Sequence, residues 1–265
     1  MAFFPFELHA HHLAMPIGYP LNNLQGFIGS GVPLDVRWVI KRSHLRGWRF
    51  DAVAASQDTF APFHYAGTTE PCPVIDLTKG DLSHIGERKK ARRTLQRKFG
   101  AVSLEWNSGE PAQVDRLIEW KTGKYHSTSR QFRDPTAHSI VKDLAASTGE
   151  DCRGVVSVLE AGDRTAAIHF GLLGPRSLVG WYMAYDPELS RFAPGTMLWH
   201  PLVKAAEERG ISQIDLGPGA QPYKFELSNG SYPVAGGVVW ASRPLGAARS
   251  LYRRARFRDT ASKDK

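Results

Sequence analysis

Cysteine is scarce in this sequence: Cys72 and Cys152 are the only two among 265 residues. They lie far apart and lack the paired spacing of metal ligands, which argues against a cysteine-held zinc module and a disulfide-dense scaffold. They read as reduced thiols of a cytoplasmic protein, with a single disulfide between them as the alternative. Long apolar runs are missing as well, and no stretch reaches the roughly 18 apolar residues of a membrane-crossing helix. The opening MAFFPFELHAHHLAMPIG has no basic segment and is broken by Glu7 and three histidines, so it does not read as a signal peptide. Repeats at a solenoid period and low-complexity tracts are also absent. No metal site is expected.

Acid is scarcer than base, with 26 Asp and Glu against 34 Lys and Arg and a net charge of +8. The excess is concentrated in two places. ERKKARRTLQRK packs seven cations between Arg88 and Lys98, and Arg249, Arg253, Arg254, Arg256 and Arg258 crowd the end of the chain. Such clusters attract phosphorylated cofactors, nucleic acid or anionic lipid. They equally describe a solvated helix face and a solvated tail. Aromatic-rich strands of the kind that stack single-stranded nucleic acid are not present.

With 42% hydrophobic residues the chain has enough apolar material for a core. Before residue 80, short apolar runs at Ala2–Phe6, Trp48–Val53 and Val74–Leu77 are punctuated by Pro, Gly and Asn. Leu82–Phe99 reads as a polar connecting helix ending at Gly100. A second α/β unit follows, with a strand at Val102–Trp106 and helices at Pro111–Tyr125 and His138–Ser147. Three strands come next, Gly154–Glu160, Ala166–Leu173 and Leu178–Tyr185. The short turns AGDR and GPRS predict an antiparallel meander.

The most informative stretch runs from Leu178 to Leu227. An aromatic-rich strand gives way to an Asp-Pro loop, and Ala-Pro-Gly then precedes helical spacing from Thr196 to Gly210. Ile211–Leu216 predicts a short strand, after which Gly217 and Gly219 break the backbone before Tyr223-Lys224. A helix start behind Pro-Gly exposes N–H groups suited to a diphosphate, and Arg191 adds a charge nearby. Many helices start this way without binding anything.

In that order these elements resemble the GNAT-type acyltransferases of the CelD (cellulose-biosynthesis-protein-like) group, which are related to the FemAB peptidyltransferases. Upstream, IEWKTGKY, AAIHFGLL, PIGYPLNNLQGFI, LRGWRFDAV and the basic helix before FGAV extend the likeness over nearly the whole chain. The resemblance implies an α/β (α+β) fold of two tandem GNAT-like units, the first of which looks truncated at its start. It places a partial unit at 1–80, a connecting helix at 81–100, an acyltransferase domain at 101–242 and a basic tail at 243–265.

The resemblance also implies that Arg191, Gly195, Thr196, Met197 and Leu198 hold the diphosphate of acyl-CoA, acetyl-CoA in the first instance. The acyl group would pass to an amine or hydroxyl of a sugar, lipid or amino-acid precursor in envelope or exopolysaccharide synthesis. For the proton transfers, Asp215 is a candidate base or else the cap of the glycine turn. Tyr223 is a candidate acid toward the leaving thiolate, or an aromatic at a strand end. Lys224 binds phosphate or an acidic acceptor, or pairs with Glu226 on the surface. Lys121, Tyr125 and His169 are the candidate acceptor contacts, although His169 also suits a core position. Two alternatives remain: a FemAB-like transferase using charged tRNA, and a non-catalytic GNAT protein serving as a partner. The basic tail is a further candidate for peripheral contact with anionic membrane.

Overall fold

The computed structural model describes residues 2–19, 21–29, 35–54, 56–57, 66–80, 82–123, 132 and 134–242. The tail at 243–265 and Tyr125 lie outside them. In chain order come β1 (Ala2–Phe3), β2 (Glu7–His9), β3 (Leu13–Met15), β4 (Ile28–Gly29), α1 (Val36–Arg42), β5 (Gly47–Ala54) and β6 (Ala66–Asp76). Then follow α2 (Lys89–Phe99), β7 (Val102–Glu105), α3 (Pro111–Thr122), α4 (Pro135–Ala145), β8 (Arg153–Ala161), β9 (Arg164–Leu173) and β10 (Ser177–Tyr185). The last elements are α5 (Pro194–Glu207), β11 (Gln213–Asp215), α6 (Pro222–Leu227) and β12 (Gly230–Trp240). The α/β class is as expected.

The chain forms two compact units, Met1–Pro71 with Tyr232–Lys265, and Cys72–Ser231. The division therefore falls at Pro71 rather than near residue 80, and the chain returns to the first unit for most of β12. Pairing of Trp240 with Gly47 and of Val234 with Ala54 ties that strand to β5. In the first unit β2, β3, β5 and β12 are neighbours in that order, with β3 parallel to β5. Its core gathers Phe27, Ile40, Trp48, Phe50 and Val239. Phe4 stacks on Phe27 at 4.7 Å between ring centroids and meets the edge of Trp48 at 5.2 Å.

In the second unit the strand order is the Cys72–Asp76 end of β6, then β11, β10, β9, β8 and β7. The meander is confirmed, with Leu159 opposite Ala167 and Leu173 opposite Leu178. Helices cover both faces, so β8 and β9 are buried almost throughout and read as unbroken apolar runs. On one face α5 contributes Leu198, Trp199 and Leu202 to a core with Leu178 and Ile214. On the other, α3 and α4 set Leu117, Ile118 and Val141 against Ile168 and Phe170. Helix α4 starts at Pro135, ahead of the expected His138, because the Asp134 side chain accepts from Thr136 N and caps it. The basic helix starts only at Lys89, since residues 82–86 form a turn closed by Ile85 N donating to Leu82 O.

The β8–β9 hairpin fixes where the two strands register. Its two-residue loop has a positive φ at Gly162 (58°), the position a II′ turn gives to glycine. A Cβ at Gly162 would also lie 1.9 Å from the Phe99 carbonyl oxygen at the end of α2. Gly162→Ala is expected to destabilise the protein by at least about 2 kcal/mol, combining left-handed strain with that clash. Urea melts of variant and wild type measure it.

Candidate functional site

The parallel ladder between β10 and β11 is short. Ser177, Leu178 and Val179 face Gln213, Ile214 and Asp215, and there β11 ends while β10 runs on to Tyr185. A register shift between Gly180 and Tyr182 marks a bulge at the last rung, which puts both Trp181 and Tyr182 against the α3–α4 face. The lone glycine inside the apolar run LVGWYMAY, not read as such from the sequence, is the signal that marks it.

Past Tyr185 the chain makes a short 3-10 turn, Pro187–Phe192, whose start is fastened by Asp186. One oxygen of that carboxylate accepts from Glu188 N at 2.9 Å, and the other accepts from Arg164 Nε at 2.7 Å. Ala193, left-handed at φ 50°, caps α5, and Pro194 opens it two residues earlier than the helical spacing suggested. Thr196 N and Met197 N both donate to Ala193 O, whereas Gly195 N has no acceptor among the described residues. The donor set at this helix start is therefore narrower than a full glycine-rich loop. A Cβ on Gly195 would sit 3.2 Å from both Met183 Sδ and Tyr185 Cδ1, so this glycine also lets α5 lie close to β10. Met197 and Leu198 are buried in the core, which leaves only their backbone for a ligand. Arg191 is exposed, its guanidinium 4.8 Å from the centroid of the Phe192 ring.

The glycine turn after β11 is held from beneath. Asp215, 4% exposed, accepts from Gly217 N at 2.7 Å and from Cys72 Sγ at 3.2 Å through the same oxygen. It caps the turn, as one of its two readings had it. Lys224 is buried rather than paired with Glu226, and its Nζ donates to Gly217 O and Pro218 O at 3.0 and 2.8 Å. Tyr223 and Lys224 stand on the short helix α6, not at a strand end. Tyr223 is 43% exposed, and desolvation raises its phenol above the usual value. The partnership of Cys72 with Asp215 has no sequence signal, because the two are remote along the chain.

His169 lies on the α5 face of β9, between Ser157 and Met183 in register and edge-on to Trp199 at 5.4 Å. Burial alone lowers its pKa to about 4. Lys121 sits on α3, which packs against the opposite face, and burial lowers its pKa to about 8. The structure therefore does not bring these two acceptor candidates together. Near α3, a recess of about 640 Å³ is lined by Arg116, Glu119, Trp120, Arg164 and Glu188, without Lys121. Among the described residues no cluster of His, Cys, Asp or Glu is arranged to hold a metal.

The histidine sets a pH dependence. Its folded pKa is lowered from 6.5 to about 4, so the unfolded chain takes up the proton first. The residue has no effect above pH 6.5 and costs about 3 kcal/mol of stability by pH 4. Urea melts across that range are expected to show His169→Leu losing less stability than wild type by this amount.

A family model described as "Acetyltransferase (GNAT) domain" matches residues 86–225, more than half of the chain. No curated protein matches. Among solved structures, the C-terminal domain of a protein from Agrobacterium fabrum described as a lysylphosphatidylglycerol synthetase superposes with a TM-score of 0.59 at 11% identity. That match covers 94% of this chain and 84% of the other. L-PGS from Bacillus licheniformis gives 0.50 at 9% identity, over 82% and 74%. Likenesses at such identities carry the fold alone, whereas the family match spans the meander, the helix start and the glycine turn. The chain belongs to the acetyltransferase (GNAT) domain family.

Proposed function

We propose that this protein is an acyl-CoA-dependent acyltransferase, with acetyl-CoA as the simplest donor. The observation that carries the reading is the end of the β10–β11 ladder at Val179 and Asp215, past which β10 runs on to Met183 and Tyr185, where the N-terminal turn of α5 packs. In this reading the diphosphate meets Gly195 N, the Thr196 hydroxyl, the Arg191 guanidinium and the positive end of the α5 dipole. The pantetheine arm lies between β10 and β11. An acceptor amine or hydroxyl attacks the thioester carbonyl, and the tetrahedral intermediate collapses to release the thiolate. The acceptor's own proton leaves to solvent on attack, and Tyr223, protonated at neutral pH, gives the released thiolate a proton that water then restores to the phenol. Asp215 and Lys224 shape the turn rather than move protons. The acceptor class is a sugar, lipid or amino-acid precursor of the cell envelope.

A thermal-shift series tests the donor. CoA and acetyl-CoA at 100 times Kd are expected to add about 2.7 kcal/mol of stability, with a clear rise in Tm. Arg191→Glu weakens that rise. Tyr223→Phe keeps it while lowering kcat by about 100-fold, in the range of lost acid–base catalysis. An absence of any shift with millimolar CoA would exclude the acyl-CoA reading.

A second reading, an aminoacyl donor carried on tRNA, draws on helix α2. Lys89, Arg93 and Arg97 repeat at i, i+4 and i+8, are all exposed, and line one groove with Lys90. Like charges at that spacing cost about 0.2–0.5 kcal/mol per pair, so a bound polyanion would relieve them. The same field reaches α5, where burial and then Lys204 lower the pKa of His200, Glu87 raises it, and Arg92 and Lys89 lower it by smaller amounts. If tRNA is the donor carrier, its binding falls steeply with salt, and Lys89→Glu with Arg93→Glu flattens that slope by about two contacts. Binding by CoA with salt-insensitive or absent tRNA binding decides against it.

A further inference from the structure

Eight polar or charged residues are buried among the described residues, and seven of them have hydrogen bonds. Arg116 Nη1 donates to Thr165 Oγ1 and Gln113 Oε1, Ser157 Oγ donates to Trp106 O, and Ser108 Oγ accepts from Glu110 N. Asp186, Asp215 and Lys224 are engaged as described above. His169 is the exception, 1% exposed with neither Nδ1 nor Nε2 partnered. The indole that covers it is in the same condition, since Trp199 Nε1 has no partner either. Two adjoining side chains with unmet polar atoms on one face of the sheet mark a place where a partner is missing. An unmet buried donor or acceptor is unfavourable, and an apolar pair would have filled the same space without that penalty.

The imidazole is aimed at the end of the ladder. Gly180 follows the last rung, and a Cβ there would fall 3.2 Å from His169 Nε2 and 3.2 Å from the Asp215 carbonyl oxygen. On the next strand, a Cβ on Gly171 would fall 3.0 Å from His169 Cε1. Glycine at both positions lets the ring edge lie against the end of the ladder, in the space that a Cβ would otherwise take. The ring is neutral at working pH, so it has one N–H to donate and one nitrogen to accept.

We propose that His169 recognises a hydrogen-bonding substituent, a hydroxyl or amine, on the acyl group of the donor. The proposal rests on the donor placement given above, in which the pantetheine arm runs along the gap and brings its acyl end to this point. A methyl or alkyl end offers the imidazole nothing and leaves its nitrogens unmet. A hydroxyl offers both a donor and an acceptor, and an amine, protonated at neutral pH, offers donors to the accepting ring nitrogen. The residue is a specificity determinant and takes no part in bond making. Because the ring stays neutral, the discrimination does not change between pH 6 and pH 8.

Calorimetric titration of the whole chain with matched thioesters tests this. The pairs are lactoyl-CoA against propionyl-CoA, 3-hydroxybutyryl-CoA against butyryl-CoA, and β-alanyl-CoA against propionyl-CoA, with free CoA as the reference. At least one polar member is expected to bind roughly tenfold more tightly than its apolar partner, the worth of one net hydrogen bond. His169→Leu brings that ratio to about one and leaves the affinity for free CoA unchanged, while His169→Gln keeps part of it. Ratios near one in wild type for all three pairs, with CoA still bound, overturn the proposal and leave the donor reading intact. A preference that survives both variants overturns it too. Failure of wild type to bind any of these thioesters, or CoA itself, removes the donor reading and this proposal with it.

Discussion

Two parallel strands that stop pairing leave backbone groups to be satisfied elsewhere, and the second unit is organised around the point where β10 and β11 do so. The rungs end at Val179 and Asp215. On one side of that point the Asp215 carboxylate, the Gly217 amide and the Lys224 ammonium lock the turn that carries the chain away from β11. On the other, the bulge at Gly180 turns β10 so that Trp181 and Tyr182 both face the α3–α4 core. Neither device is local. Each needs the opposite strand or the following helix in place, so the parting is a property of the folded unit as a whole.

The start of α5 depends on the same arrangement. Its cap is a left-handed alanine, an unfavourable conformation held by hydrogen bonds on both sides, its N–H donating to Ser190 O and its carbonyl accepting from Thr196 N and Met197 N. Gly195 lets the helix lie within van der Waals distance of Met183 and Tyr185, which directs its N-terminus toward the end of β10. The dipole, the unaccepted Gly195 amide and the exposed Arg191 then share one location. Charge on α2 extends the positive field, and of its cations Arg92 also ties the helix to Val102 O and Glu87.

The local features were legible in the sequence. The turns AGDR and GPRS between apolar runs gave the meander, and Ala-Pro-Gly ahead of helical spacing gave α5 to within two residues at its start. Features set by distant partners were not. Helix α6 is six residues long and follows two glycines, too short for its period to stand out, so a strand end was one of the two readings of Tyr223. Lys224 beside Glu226 looked like a surface pair, because nothing local says that its ammonium folds back onto Gly217 and Pro218. Strand β12 joins β5 through pairing across nearly 200 residues, which no local pattern encodes. The identity of His169 was visible and its position in a core strand was suspected. That both its nitrogens lack partners is a fact of tertiary packing alone.

Amide hydrogen exchange in the presence and absence of CoA tests the central claim most directly, because it reads the backbone groups on which the site is built. The account predicts that CoA protects the segment from Pro187 to Trp199, together with the β10 residues beyond Val179 and the turn after Asp215, while β5 and β12 stay unchanged. Protection confined to α2, or to the recess around Arg116, with the start of α5 exchanging as in the free protein, would contradict it.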